Sequence, residues 1–133
     1  AASSDYPLRD VYKRQGHELG RKGEELAVGH LRSLGYEILE VNWFSHHLEI
    51  DIIAKDGNEL VIVEVKARGT DSYEHPSEAV SNKKIRFLVN AAEAYIQLKD
   101  INLDTRFDVI SIIFQDGGFE IEHFKDAFYP PIG

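Results

Sequence analysis

The chain has no cysteine among its 133 residues, which excludes a disulfide framework, thiolate metal sites and a cysteine nucleophile, and is compatible with a reducing compartment. It also lacks methionine and has only four prolines. No apolar run approaches the ~20 residues of a membrane span, and positions 1–20 contain no apolar core of a secretory signal. Positive charge is scarce: 15 Lys+Arg stand against 23 Asp+Glu, a formal charge of −8. That balance speaks against a generally basic nucleic-acid binder. With 43% hydrophobic and 11% aromatic residues, what remains suffices for one packed core. A cytoplasmic protein without membrane association is the expectation.

Ala1 to Gln15 mixes charged, polar and isolated apolar residues in no period, and reads as a disordered tail or processing remnant outside a single domain over 16–133. From Leu19 to Leu34 the residues Leu19, Leu26, Ala27, Leu31 and Leu34 fall on one side of a helical wheel, with Gly35 as a stop. Tyr36–Trp43, Glu49–Ala54 and Leu60–Lys66 read as strands, the last two joined through Asp56-Gly57 as a hairpin. A polar loop over Gly69–Pro76 leads to a second helix over Ser81–Lys99, with Ser81 as N-cap. Phe107–Phe114 and Phe119–Phe124 close the chain as strands around Asp116-Gly117-Gly118. The order is αβββαββ, an α/β fold with a sheet flanked by helices.

The strand Leu60-Val61-Ile62-Val63-Glu64-Val65-Lys66 starts as an apolar run and ends with an acid and a lysine two positions apart, hence on one face. Strand interiors disfavour both types, so the pair is informative. The partner strand carries Glu49 and Asp51, again two apart. A two-residue Asp56-Gly57 loop sets Glu49 opposite Glu64, and a four-residue loop sets Asp51 opposite Glu64. Either places Glu49, Asp51, Glu64 and Lys66 on the same side of the sheet. Carboxylates facing each other across a ladder repel and raise one another's pKa unless cations lie among them. Lys66 supplies one, and an all-oxygen ligand set selects a hard dication, Mg²⁺ or Mn²⁺, for the rest. On the first helix Glu24 sits at the edge of the apolar stripe and can reach the protein side, whereas Glu25 is expected in solvent.

Asp…Glu-x-Lys on a hairpin behind a helix that offers a further Glu resembles the PD-(D/E)xK nuclease superfamily. A longer string is more specific: Gly20-Arg21-Lys22-Gly23-Glu24-Glu25-Leu26-Ala27, Leu34-Gly35-Tyr36, Asn42-Trp43, Glu49-Ile50-Asp51, Val63-Glu64-Val65-Lys66-Ala67-Arg68 and Arg106-Phe107-Asp108-Val109. Together these resemble the YraN family of small bacterial proteins, related to archaeal Holliday-junction resolvases, and Phe128-Tyr129-Pro130-Pro131 is similar to its Bacteroidetes members. The resemblance implies a restriction-endonuclease-like αβββαβ core and a metal-dependent endonuclease acting on DNA, including branched or flapped forms. It implies Asp51, Glu64 and Lys66 as catalytic residues, and Glu24, Asp51 and Glu64 as metal ligands for Mg²⁺ or Mn²⁺. The chain departs from the family pattern at Phe44 and Leu48, where an arginine and a glycine are usual.

Other signals are thinner. Adjacent His46 and His47 point to opposite strand faces, so at most one could join Glu49 and Asp51, and a polar loop is the simpler reading. His75 and His123 stand isolated, and Gly20 and Gly23 read as helix-start or packing glycines. Basic residues cluster: Arg21 and Lys22 precede Glu24, Lys66 and Arg68 end the acid-bearing strand, and Lys83, Lys84 and Arg86 open the second helix. Residues 66–86 hold five basic against three acidic residues, and 100–126 two against seven. Arg21, Lys22, Arg68, Lys83 and Lys84 are therefore the candidate nucleic-acid contacts. Two alternatives to a nuclease stay open: a catalytically inactive nucleic-acid-binding or protein-interaction module on the same fold, and a dimerising adaptor, with the apolar tail Phe124, Phe128, Tyr129 and Ile132 either packed on the domain or forming a homodimer interface.

Overall fold

The computed structural model describes residues 7–70 and 80–129, with side chains from Glu18 onward. Helix α1 (Pro7–Ser33) is followed by β1 (Glu37–Ser45), β2 (Leu48–Asp56) and β3 (Glu59–Gly69), then α2 (Asn82–Lys99), β4 (Asp104–Gln115) and β5 (Gly118–Phe124). The boundary drawn at Gln15 thus falls inside α1, because a helix can continue N-terminal of its apolar stripe without one. The polar loop after Gly69 lies mostly outside the described residues.

One five-stranded sheet runs in the order β1-β2-β3-β4-β5. All pairs are antiparallel except β3 with β4, whose parallel pairing requires the crossover through α2. The helices cover opposite faces. Ala27 and Leu31 of α1 pack with Ile52, Ala54, Val61, Val63, Ile110 and Ile112, while Leu88, Ala91, Ala92 and Tyr95 of α2 pack with Ile50, Ile53, Leu60, Ile62 and Phe107. The unbroken apolar run at the start of β3 follows from this: its alternate residues feed two different cores. Helix α2 is capped by Ser81, whose hydroxyl accepts from the Lys84 amide, and is ended by Asp100 in the left-handed region (φ 53°).

Helix α1 comes close to β3. A Cβ placed on Gly23 would lie 2.6 Å from the Cβ of Ala67, whereas one on Gly20 would meet nothing within 4 Å. Gly23 is thus the packing glycine of the two.

The β2–β3 turn is Gly57-Asn58, with Asp56 paired to Glu59 and Ile52 to Val63. This is the register that sets Asp51 opposite Glu64. The β1–β2 hairpin is wrung midway. Trp43 and its partner Ile50 pack on the α2 side, but Ile52, paired with Val41 two positions on, belongs to the α1 core. On an undistorted strand such positions share a face. Asn42, in the left-handed region at φ 52°, takes up the reversal, opposite Asp51.

At the far end of the α1 face a buried polar network closes the sheet. Arg106 donates to Asp108 (2.9 and 3.1 Å), Asp56 (3.0 Å), Glu59 (3.0 Å) and the Tyr36 hydroxyl (2.7 Å). His123 is not isolated: Nε2 bonds Asp108 at 2.7 Å and Nδ1 meets His30 at 3.1 Å. Burial alone would raise the Asp108 carboxyl, but bonds from His123, Arg106 and the Asp126 amide hold it below its ordinary value. In the C-terminal stretch Phe128 stacks on Phe107, Phe124 pairs with Val109 in β5, and Tyr129 is 73% exposed. Ile132 lies outside the described residues.

Candidate active site

The wrung hairpin determines where Asp51 goes. The β2–β3 ladder ends at Ile52 and Val63, and one step further the Asp51 carboxylate replaces a backbone acceptor by taking the Val65 amide hydrogen at 2.8 Å. Beside it, Glu64 is 5% exposed, and by strand alternation it lies on the α2 side with Leu60 and Ile62. The two carboxyls are close enough for Glu64 to act on the Asp51 carboxyl. Burial pushes the Asp51 carboxyl up to about 7, Glu64 adds to the rise, and the Val65 amide and Lys84 only partly offset it. Near neutral pH the Asp51 carboxyl is thus partly protonated.

Lys84 of α2 places Nζ 3.3 Å from Oε2 of Glu64. Lys66 follows two positions after Glu64 on the same face, half-buried, with no ion pair to another described residue.

Glu24 approaches from the other helix. Its Oε2 accepts from the Asn42 side chain at 2.8 Å, so the residue that wrings β1 also holds the α1 carboxylate. Burial raises the Glu24 carboxyl, Asn42 lowers it, and Asp51 and Glu49 raise it further, which places all three acids within electrostatic range. Glu25 is exposed, as the wheel predicts.

The arrangement differs from the single shared face expected for Glu49, Asp51, Glu64 and Lys66. Asp51 joins Glu64, but Glu49 is exposed and lines a groove with Lys83 and Lys84 instead of completing the pair. Period-two alternation cannot anticipate this, because Asn42 and Asp51 interrupt it. Among the described residues no three His, Asp or Glu side chains come close enough to hold one ion. Asp51 and Glu64 are thus the adjacent ligand pair, with Glu24 set apart on Asn42. The basic residues divide as well: Arg21 and Lys22 are exposed on the α1 side, Lys22 over the Phe114 ring, whereas Lys83 and Lys84 lie on the α2 side. Arg68 is half-buried, and its Nε is sequestered without a partner. His46 and His47 form the tight β1–β2 turn, His46 at φ 56°. Leu48 packs on the α2-side core, and Phe44 is 62% exposed.

Asn42 and the Lys84–Glu64 contact are the two site features that sequence patterning misses. The signal for Asn42 was its tolerance of the left-handed region in mid-strand.

The donor chemistry fits a hard dication. The Asp51 carboxyl, raised by burial and by the neighbouring Glu64, ionises readily only when further positive charge is supplied, and the ligand atoms of both side chains are all oxygen.

Comparison with known proteins gives a family and names no activity. A family model described as "Uncharacterised protein family UPF0102" matches residues 23–112, which include Glu24, Asn42, Asp51, Glu64, Lys66 and Lys84. A UPF0102 protein of Bacteroides thetaiotaomicron is 48% identical over 116 residues, covering 87% of this chain and 96% of the relative. One from Parabacteroides distasonis is 46% identical over 115 residues (86% and 95%), and one from Christiangramia forsetii 47% identical over 113 residues (85% and 95%).

Proposed function

From the premise that the chain belongs to the uncharacterised protein family UPF0102, we propose that it is a metal-dependent endonuclease of the PD-(D/E)xK type acting on DNA. The observation that carries this reading is the Asp51–Glu64 pair, Glu64 buried and Asp51 half-buried, at the point where β2 leaves β3, with Lys66 two positions on. Asp51 and Glu64 would hold Mg²⁺ or Mn²⁺, which supplies a water of lowered pKa and polarises a phosphate. The Val65 amide fixes the Asp51 carboxylate, so its oxygens are oriented before any ligand arrives. Glu24, held by Asn42, adds negative charge within electrostatic range of Asp51. Lys66 is available to meet charge that builds on the phosphate.

The test is cleavage of duplex, single-stranded, flap and four-way DNA by the purified protein with either metal. Cleavage is expected, and Glu64→Ala or Lys66→Ala is expected to slow it on the order of a hundred-fold or more. Failure to cut all four substrates with both metals would remove the reading.

One observation favours a second reading, a non-catalytic nucleic-acid-binding module. Lys84 already pairs with Glu64 and could stand in for a metal's charge, and the net charge of −8 disfavours tight non-specific DNA binding. Salt-dependent DNA binding without cleavage would select it.

A further inference from the structure

An open groove of about 390 Å³ runs between the β1–β2 turn and the start of α2, lined by His47, Glu49, Ser81, Lys83, Lys84 and Phe87. Two aromatic rings stand in it. His47 and Phe87 meet edge to face, their centroids 6.2 Å apart at 90°. His47 is exposed and Phe87 is 38% exposed, off the row of Ile85, Leu88, Ala92 and Tyr95 that anchors α2 to the sheet. The first turn of α2 carries Lys83 and Lys84 and no acid. Because Lys84 reaches Glu64 at 3.3 Å, the groove opens directly beside the carboxylate pair.

Rings interleaved with cations match the chemistry of one nucleic-acid strand, in which every base offers a π-face and every phosphate a charge. A duplex occupies its base faces with its own stack and leaves such rings without partners.

We propose that this groove holds an unpaired nucleobase against Phe87 and His47, with the flanking phosphates on Lys83 and Lys84, so that the preferred DNA substrate has a single-stranded segment leading to Asp51 and Glu64. The proposal deepens the nuclease reading and rests on it for the choice of DNA as ligand.

Binding without divalent metal tests the groove independently of cleavage. Fluorescence anisotropy of labelled oligodeoxythymidylate, compared with a duplex of equal length, is expected to show tighter binding of the single strand. Phe87→Leu is expected to weaken strand binding on the order of ten-fold and leave the duplex unaffected, and Phe87→Trp to restore it. A 2-aminopurine placed in the strand is expected to be quenched by the parent protein and not by Phe87→Leu. Thermal melting of each variant separates loss of fold from loss of contact. Equal affinity for strand and duplex, or strand affinity unchanged in both Phe87→Leu and His47→Ala, would overturn the proposal. Phe87-dependent strand binding without cleavage in Mg²⁺ or Mn²⁺ supports the groove and sinks the nuclease reading. Cleavage without that dependence does the reverse.

Discussion

Asp51 carries an energetic cost that the fold tolerates. Its carboxyl titrates near 3.8 in an unfolded chain and near 7 in the folded protein, so between those values the folded state holds more protons. Stability contributed by this group therefore falls as pH rises from about 4 to about 7. Asp51→Asn keeps an oxygen for the Val65 amide and removes the titration. Relative to the parent it is expected to gain on the order of a few kcal/mol at pH 8 and little at pH 4, measured by urea unfolding at both. Mn²⁺ at pH 8 is expected to raise the parent's melting temperature by the equivalent of about 2.7 kcal/mol at a hundred-fold excess over Kd, and to leave Asp51→Asn unmoved. A parent protein whose stability does not change over that pH range would show that the pair is not strained as argued. Glu64 and Lys66 were legible at this scale because a buried strand rarely ends in such residues. The Lys84–Glu64 contact was not, since it joins elements whose approach depends on tertiary packing.

At the scale of elements, α1 meets β3 through one missing side chain. Gly23→Ala would drive a Cβ into Ala67 and is expected to cost about 1–3 kcal/mol, whereas Gly20→Ala, with open space around it, is expected to be neutral or to stabilise by up to ~1 kcal/mol. Denaturant midpoints of the two variants make the comparison, and equal midpoints would remove the close-packing argument. Periodicity made the helices and strands legible, because each stripe faces one core and β3, an apolar run, faces two. It placed Glu24 inward and Glu25 outward correctly. It could not place Glu49, because alternation presumes a continuous strand and the hairpin is turned over at Asn42. The β2–β3 turn likewise formed at Gly57-Asn58, one residue later than Asp56-Gly57, and that single step chose the register bringing Asp51 to Glu64.

The molecule as a whole divides its charge and its connectivity unevenly. Acidic residues concentrate over 100–126, while Lys84 pairs with Glu64 and Lys83 lines the adjoining groove, so the overall charge of −8 describes the site poorly. The crossover has a temporal consequence. Bonds that build the site join near neighbours in the chain: Asp51 to Val65 spans 14 residues and Glu24 to Asn42 spans 18. Pairing β3 with β4 begins at Glu59 and Asp104, a span of 104 − 59 = 45. Closing the longer loop costs more entropy, so the three N-terminal strands with α1 are expected to assemble first and to receive β4 and β5 afterwards. Stopped-flow rates would register the order: Ile52→Val is expected to slow folding, and Arg106→Leu, which cuts ties between β4 and the earlier hairpin, to speed unfolding. If Arg106→Leu instead slows folding alone, the sequence of events is reversed. In the expected order, the carboxylate pair is shaped before the strand that completes the sheet has docked.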